Sequence, residues 1–151
     1  MTDFLETTVD KFTFKVATDR SYTSEGVWVI DESGSLRIGL SDFVQQRSGD
    51  VAFAEVKPAG TTLAVGDEVA VIETIKVNIT YNSPVNGKIS EVNPLMSDAP
   101  EAINQDPYGA GWLYEVRGDP DPNCLDVHAY QRVLDKTIDR ILEKQKAEDK
   151  P

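Results

Sequence analysis

The sequence predicts a mainly β fold, a small sandwich or barrel with short helices at its edge and an amphipathic helix at its C-terminus. The chain has 151 residues, which is the size of one domain. Most of it consists of short apolar or alternating runs separated by Gly, Pro, Asn and Asp, a pattern typical of strands joined by turns. A helical period of three to four residues is sustained near the end, from Val127 to Leu142.

Four strands and one short helix are expected in the first part of the chain. In residues 11–18 apolar side chains alternate with polar ones, which predicts a strand with one apolar face. Ser41 offers an oxygen that can cap a helix over residues 42–47, and this helix should end near Gly49. The strands expected here are residues 11–18, 27–30, 36–40 and 51–56.

Four more strands and a long helix are expected in the second part. The Asn-Gly pair that ends residues 83–87 predicts a tight hairpin turn. Residues 93–111 are rich in turn-forming residues, with a short helix near 97–103, and the two prolines of residues 119–122 predict a stiff break before the C-terminal helix. The strands expected here are residues 69–72, 77–81, 89–92 and 112–116.

The composition excludes several classes of function. There are 26 acidic and 15 basic residues, a net charge of -11, so nucleic acid and anionic membrane surfaces are poor partners. Acids and bases balance in residues 126–151, so residues 1–125 carry the whole net charge. One cysteine and one histidine leave no internal disulfide, no thiolate metal site and little for histidine-based catalysis. Since neither a membrane span nor a signal peptide is visible, a cytoplasmic protein is expected.

Lys76 is the candidate functional residue. It stands ten residues after Gly66 and eleven before Gly87, so it is expected at or near the tip of a hairpin that points away from the body. A lysine in that position presents an amine on a long flexible stem and is a reachable site for acylation. On spacing alone, an ordinary solvated lysine in a turn is the more frequent explanation, because exposed lysines are abundant.

The residues around Lys76 resemble a lipoyl-attachment domain. The two segments that carry this resemblance are residues 66–76, GDEVAVIETIK, and residues 82–93, NSPVNGKISEVN. The chain also resembles the glycine cleavage H proteins and the H-like lipoate-binding proteins, from about residue 22 to residue 117. Further segments that match are Tyr22-Thr23 with Trp28, residues 38–43, Gly49-Asp50-Val51 with Glu55, and residues 103–113.

This resemblance implies a barrel-sandwich hybrid of two small sheets, with lipoate amide-linked to Lys76. Glu73, three residues earlier, fits the family pattern for recognition by the lipoate-attaching enzyme. Such a protein is a non-catalytic carrier without catalytic residues or a metal. Its lipoylated lysine forms a flexible arm that carries a substrate group or electrons from one enzyme to another. A biotin carrier is the sibling interpretation, but those domains usually place methionines beside the lysine, where this chain has Ile75 and Val77.

The resemblance also divides the chain into three parts. Residues 1–20 are expected to be an N-terminal strand extension, residues 21–118 the lipoyl-carrier domain, and residues 119–151 a C-terminal helical extension. The apolar stripe of the C-terminal helix is expected to pack on the sandwich.

The chain departs from the usual pattern of the glycine-cleavage members in two segments, just before Trp28 and at Thr80. Those members usually read His-Glu-Trp where this chain has Gly26-Val27-Trp28, and they often have aspartate where Thr80 stands. The family's acids help to hold the cationic amine of an aminomethyl cargo, and Val27 can neither accept a hydrogen bond nor offset that charge. Glu25 could substitute, provided that it lies on the same face of a regular strand.

The sequence therefore leaves two predictions for the group that the lipoyl arm carries. The loss of these acids favours a carrier for a heterodisulfide-reductase-like sulfur oxidation system. The alternative is the H protein of glycine cleavage, which carries the aminomethyl group between the P, T and L proteins. A different class of function is an unmodified β domain that binds proteins through its acidic surface.

The remaining notable residues have ordinary structural interpretations. Cys124 precedes the last helix and is interpreted as incidental rather than as a redox partner of the arm. His128 lies in the first turns of that helix and is expected to be solvated or packed. Trp28 and Trp112 lie in predicted strands and are expected in the core.

Overall fold

The computed structural model describes residues 3–148 of the chain. These residues contain eleven strands and four helices. The strands are β1 Phe4–Val9, β2 Phe12–Ala17, β3 Ser21–Tyr22, β4 Val27–Glu32, β5 Ser35–Leu40, β6 Val51–Val56, β7 Thr62–Leu63, β8 Glu68–Thr74, β9 Asn78–Asn82, β10 Val85–Val92 and β11 Tyr114–Pro120. The helices are α1 Asp42–Ser48, α2 Leu95–Asp98, α3 Ala102–Gln105 and α4 Val127–Glu148. The prediction of a mainly β fold with edge helices and a C-terminal helix is confirmed.

Three sheets contain these strands. The largest has six strands in the order β3-β4-β5-β11-β10-β7, the second has the order β6-β8-β9, and β1 pairs with β2 alone. All the strand pairings are antiparallel. Apolar side chains from the two larger sheets meet in one core, among them Val29, Ile38, Ile72, Tyr81 and Val116. The two sheets therefore enclose a common interior.

A second core lies on the other face of the six-stranded sheet. Val27 and Val29 of β4 belong to the first core, whereas Trp28 between them belongs to the second, because side chains alternate along a strand. Helix α4 covers this second face with Tyr130 and Leu134, both buried. The run of apolar residues in β4 follows from burial on both of its faces.

The prediction of a hairpin turn at the Asn86-Gly87 pair was wrong. Both residues lie inside β10, where they pair with Asp119 and Gly118 of β11, and β9 pairs instead with β8 in the other sheet. The Asn86 side chain accepts a hydrogen bond from the Val65 amide at 2.9 Å. A long ladder of backbone hydrogen bonds with β11 outweighs the local preference of Asn-Gly for a turn.

Other elements are shifted or divided relative to the prediction. The last strand ends at the Asp119-Pro120 pair, where a break was expected, and begins two residues after Trp112. The helix expected near residues 97–103 is two short helices, α2 and α3, with Pro100 between them. Strand β1 was not expected, and it pairs with β2 along its whole length.

The predicted helices α1 and α4 are present. The Ser41 hydroxyl accepts a hydrogen bond from the Val44 amide at 3.3 Å, and α1 ends at Gly49, as expected. The apolar stripe of α4 packs on the body through Tyr130, Leu134 and Ile138. Within residues 3–148, no helix has the length and apolar character needed to cross a membrane.

Candidate functional site

Lys76 lies at the tip of the hairpin formed by β8 and β9. Residues 75–77 make the turn between the two strands, and the Lys76 side chain is exposed. Its neighbours Ile75 and Val77 are also exposed, at 74% and 45%. The tip position expected from the glycine spacing is the one observed, so the lysine can be approached from solvent.

Thr74, the last residue of β8, holds the turn together. Its hydroxyl oxygen accepts hydrogen bonds from the amides of Lys76 and Val77, at 3.2 and 3.0 Å. The same hydroxyl lies 3.0 Å from the Val77 carbonyl and donates to it, while the Thr74 amide donates to that carbonyl at 2.9 Å. Thr74 is buried, so one short side chain fixes the backbone on which the exposed lysine stands.

The loop from α1 to β6 supports the turn from a neighbouring element. The Ile75 amide donates a hydrogen bond to the Asp50 carbonyl at 3.1 Å. The aliphatic stem of Lys76 runs beside Gly49, since its Cε would lie 3.3 Å from a Cβ at that position. Gly49 has a φ of +86°, which favours glycine. A larger residue there would crowd the lysine stem as well as strain the backbone.

Asn104 of α3 fixes that loop in turn. Its side-chain NH₂ donates to the Gly49 carbonyl at 3.0 Å and to the Gln45 side chain at 3.1 Å. Its side-chain oxygen accepts from the Val51 amide at 2.9 Å. A continuous set of polar contacts thus links α3, through the α1–β6 loop, to the backbone beside Lys76.

Glu73 lies on the outer face of the three-stranded sheet, on the strand that leads to the turn. It is half-buried, and its register partners are Phe53 on β6 and Asn78 on β9. In the part of the chain that the structure describes, no salt bridge joins Glu73 to Lys76. The two side chains are therefore not paired with each other.

A groove of about 540 Å³ opens beside β9, between α1, α4 and the turn before β4. Its walls are mixed, with Val44, Ile79 and Leu134 on the apolar side. Of the described residues that line it, Glu25 alone is acidic and Arg47 alone is basic. The groove is therefore nearly neutral, although the chain as a whole is strongly acidic.

The positions where the chain departs from the usual acidic pattern line this groove. Val27 is 4% exposed and belongs to the first core, so it presents a hydrocarbon surface. Glu25 lies in the turn before β4 rather than on the strand, a turn closed by a hydrogen bond from the Gly26 amide to the Thr23 carbonyl. Thr80 is exposed on β9. Glu25 thus reaches the groove from the turn and not from a regular strand face.

Known proteins resemble the chain over most of its length. The family model described as glycine cleavage H-protein matches residues 20–136. The chain belongs to the glycine cleavage H-protein family. The glycine cleavage system H protein of Thermus thermophilus is 38% identical over 121 residues, which cover 78% of this chain and 94% of that protein. The H protein of Listeria monocytogenes is 40% identical over 120 residues, covering 78% and 96%.

A solved structure of the same family confirms the fold. The glycine cleavage system H protein from Mycobacterium marinum superposes with a TM-score of 0.72 at 31% identity, covering 76% of this chain and 95% of that one. The barrel-sandwich prediction is therefore confirmed. Members of the H-protein family carry lipoate covalently on a lysine. The tip of the β8–β9 hairpin fits such a group, because Lys76 is exposed and forms no salt bridge within the described residues.

Thr74 and Asn104 were missed as contributors to the site. A threonine two residues before a lysine in a turn is a recognisable pattern, since Thr hydroxyls often bond to backbone amides a few residues on. Asn104 offered no comparable pattern, because its partners lie 53 to 59 residues away in the chain. Only the fold brings α3 to the α1–β6 loop.

The other singled-out residues lie away from the turn. Burial, with a smaller contribution from nearby Asp121, raises the pKa of the Cys124 thiol, so little reactive thiolate is present. His128 is exposed, and Trp28 is fully buried in the second core. Trp112 is only half-buried, before β11, with the Arg37 guanidinium 4.5 Å from its ring centroid. Within residues 3–148, no group of three His, Cys, Asp or Glu side chains is placed to hold a metal ion.

Proposed function

We propose that this chain is a non-catalytic carrier with lipoate amide-linked to Lys76, and that it carries the aminomethyl group between the P, T and L proteins of glycine cleavage. The observation that supports it is the exposed Lys76 at the hairpin tip of a chain that belongs to the H-protein family. When bound, lipoate supplies a disulfide and dithiol pair that accepts and releases the transferred group.

The residues of the chain have distinct tasks in this proposal. Lys76 supplies the amine and a flexible stem. Thr74 and the Asp50 carbonyl hold the backbone of the turn in place, while the Lys76 side chain remains free to move. Glu73 is recognised by the lipoate-attaching enzyme, from its place on the strand that precedes the lysine. Tethering keeps the carried group at a high effective concentration near each partner.

The intact mass of the chain tests the attachment site. Protein made in a lipoylating host should carry one lipoyl or octanoyl increment, and Lys76→Arg should abolish it while leaving the fold intact. Lys88→Arg is the matched control, since Lys88 is also exposed on a strand of the body and should not affect the increment. An unmodified wild-type chain would favour the competing class, an unmodified domain that binds proteins through its acidic surface.

Glycine decarboxylation with purified P and T proteins tests the cargo. The similarity to glycine cleavage H proteins predicts that the lipoylated chain stimulates the reaction. Absence of stimulation by a fully lipoylated chain would reject glycine cleavage and retain the carrier function.

A second candidate function retains lipoate on Lys76 but has it carry a different group. The groove beside β9 has hydrocarbon at Val27 and a hydroxyl at Thr80, and its one acid is balanced by Arg47. This lining suits an uncharged sulfur cargo for a heterodisulfide-reductase-like system better than it suits a cationic amine. The relatives described above support glycine cleavage instead, and the decarboxylation assay separates the two.

A further inference from the structure

An exposed phenylalanine stands on the strand next to Lys76's hairpin. Phe53 of β6 is 68% exposed and lies opposite Glu73 in the register of the three-stranded sheet. The β6–β8 pairing is irregular between Val51 and Phe53, so Val51 packs in the first core while Phe53 faces outward. Large apolar side chains exposed together mark interaction sites. Phe53 lies on the strand that pairs with β8, and Ile75 and Val77 are exposed in the turn that follows β8.

A shallow acidic groove adjoins this phenylalanine. Its volume is about 630 Å³, and β6, the outer face of β8 and α2 form its walls. Glu55, Glu73 and Asp98 line it, and none of its described lining residues is basic. We call Phe53 with these three acids the Phe53 surface. It combines an exposed aromatic side chain with three acidic groups, one of which, Glu73, stands three residues before Lys76 in the chain.

We infer that the Phe53 surface is the docking site for the enzyme that acylates Lys76. The inference rests on the proposed function, and it predicts an enzyme with an apolar pocket for Phe53 and a basic rim beside its active-site entrance. Complementary charges on the two proteins would speed their encounter and fix their relative orientation. The Phe53 ring, buried on binding, would contribute most of the affinity.

The position of the surface favours this occupant over others. The attaching enzyme must bring its active site to the lysine itself, so it covers the residues next to the turn, Glu73 and its register partner Phe53. Enzymes that use the lipoylated protein act on the dithiolane ring instead, at the opposite end of the lipoyl group from the lysine. A second copy of this chain would bring acids against acids, and an anionic membrane would be repelled by the same acids.

Lipoylation kinetics test the inference. A purified lipoate–protein ligase with lipoate and ATP is given the wild-type chain, Phe53→Ser and Phe12→Ser, and the initial rate is followed by intact mass. Phe12 is the matched control, because it is 52% exposed but lies on β2, in the separate two-stranded sheet. Phe53→Ser should lower kcat/KM at least tenfold, mainly through KM, and Phe12→Ser should stay within twofold of wild type.

Charge variants test the rim. Glu55→Lys should raise KM severalfold and Glu32→Lys, an exposed acid at the end of β4, should not. Added salt should raise KM for the wild-type chain more than for Glu55→Lys, because screening weakens the remaining attraction. Thermal unfolding of each variant checks that the fold is retained.

The outcomes separate the inference from the proposed function. A wild-type chain that the ligase leaves unmodified overturns both. Modification of the wild-type chain with equal rates for Phe53→Ser and Phe12→Ser overturns the inference alone. Equal lipoylation rates together with a lower rate of glycine decarboxylation for lipoylated Phe53→Ser would assign the surface to a glycine cleavage enzyme and also overturn the inference.

Discussion

At the scale of single residues, Thr74 holds the backbone of the turn that carries Lys76. The Lys76 side chain is exposed, and the backbone beneath it is held by the hydrogen bonds of the turn. Two of these bonds end on the Thr74 hydroxyl oxygen. The resemblance to lipoyl domains predicted Lys76 as the attachment site, but the sequence analysis did not predict that Thr74 would hold the turn beside it.

Thr74→Val should loosen the turn without emptying the space that the side chain fills. Valine keeps the shape but leaves the Lys76 and Val77 amides without their acceptor, which should cost about 1–2 kcal/mol of unfolding free energy. Amide hydrogen exchange at residues 76 and 77 should become faster, and the rate of lipoylation should fall severalfold. Thr74→Ser keeps the hydroxyl and serves as the control. Unchanged exchange in Thr74→Val would show that other contacts hold the turn.

At the scale of elements, local patterns predicted most strands and the β8–β9 hairpin, but they misplaced the partner of β10. Alternation or apolar runs located β2, β4, β5, β6, β8 and β9, and Ser41 located the start of α1. The Asn86-Gly87 pair misled, because its turn preference is local whereas the pairing of β10 with β11 joins residues far apart in the chain. Strand β1 was missed for a related reason, since its half-exposed residues depend on β2 for their pairing.

The β10–β11 pair yields a prediction at this scale. Gly118→Ala should be strongly destabilising, because a Cβ there would overlap the Asn86 carbonyl oxygen, and backbone atoms of a central ladder cannot move aside. The expected loss is about 3 kcal/mol of unfolding free energy, the upper end for overpacking. Urea unfolding measures it. Asp119→Ala, an exposed neighbour in the same strand, should unfold near the wild-type midpoint.

At the scale of the whole molecule, the six-stranded sheet separates two cores with different roles. The first core includes β8 and β9 residues and therefore supports the hairpin that presents Lys76. The second joins α4, α1 and the β1–β2 pair to the opposite face, with the rings of Tyr22 and Tyr130 stacked at 4.3 Å. The helical period alone predicted that α4 packs, but only the fold shows that it packs against the second core.

Ile138→Ala tests whether the second core stabilises the molecule without taking part in modification. Ile138 is 7% exposed and belongs to the second core, so its truncation should cost about 2–4 kcal/mol of unfolding free energy, allowing for partial collapse of the space it leaves. Lys136→Ala, exposed on the same helix, should change the stability little. At a temperature well below the unfolding midpoint, both variants should be lipoylated at the wild-type rate, because the Lys76 hairpin is supported from the first core. A lipoylation rate that falls in parallel with the stability of Ile138→Ala would show that the two cores are coupled across β4, and that α4 helps to hold the site in place.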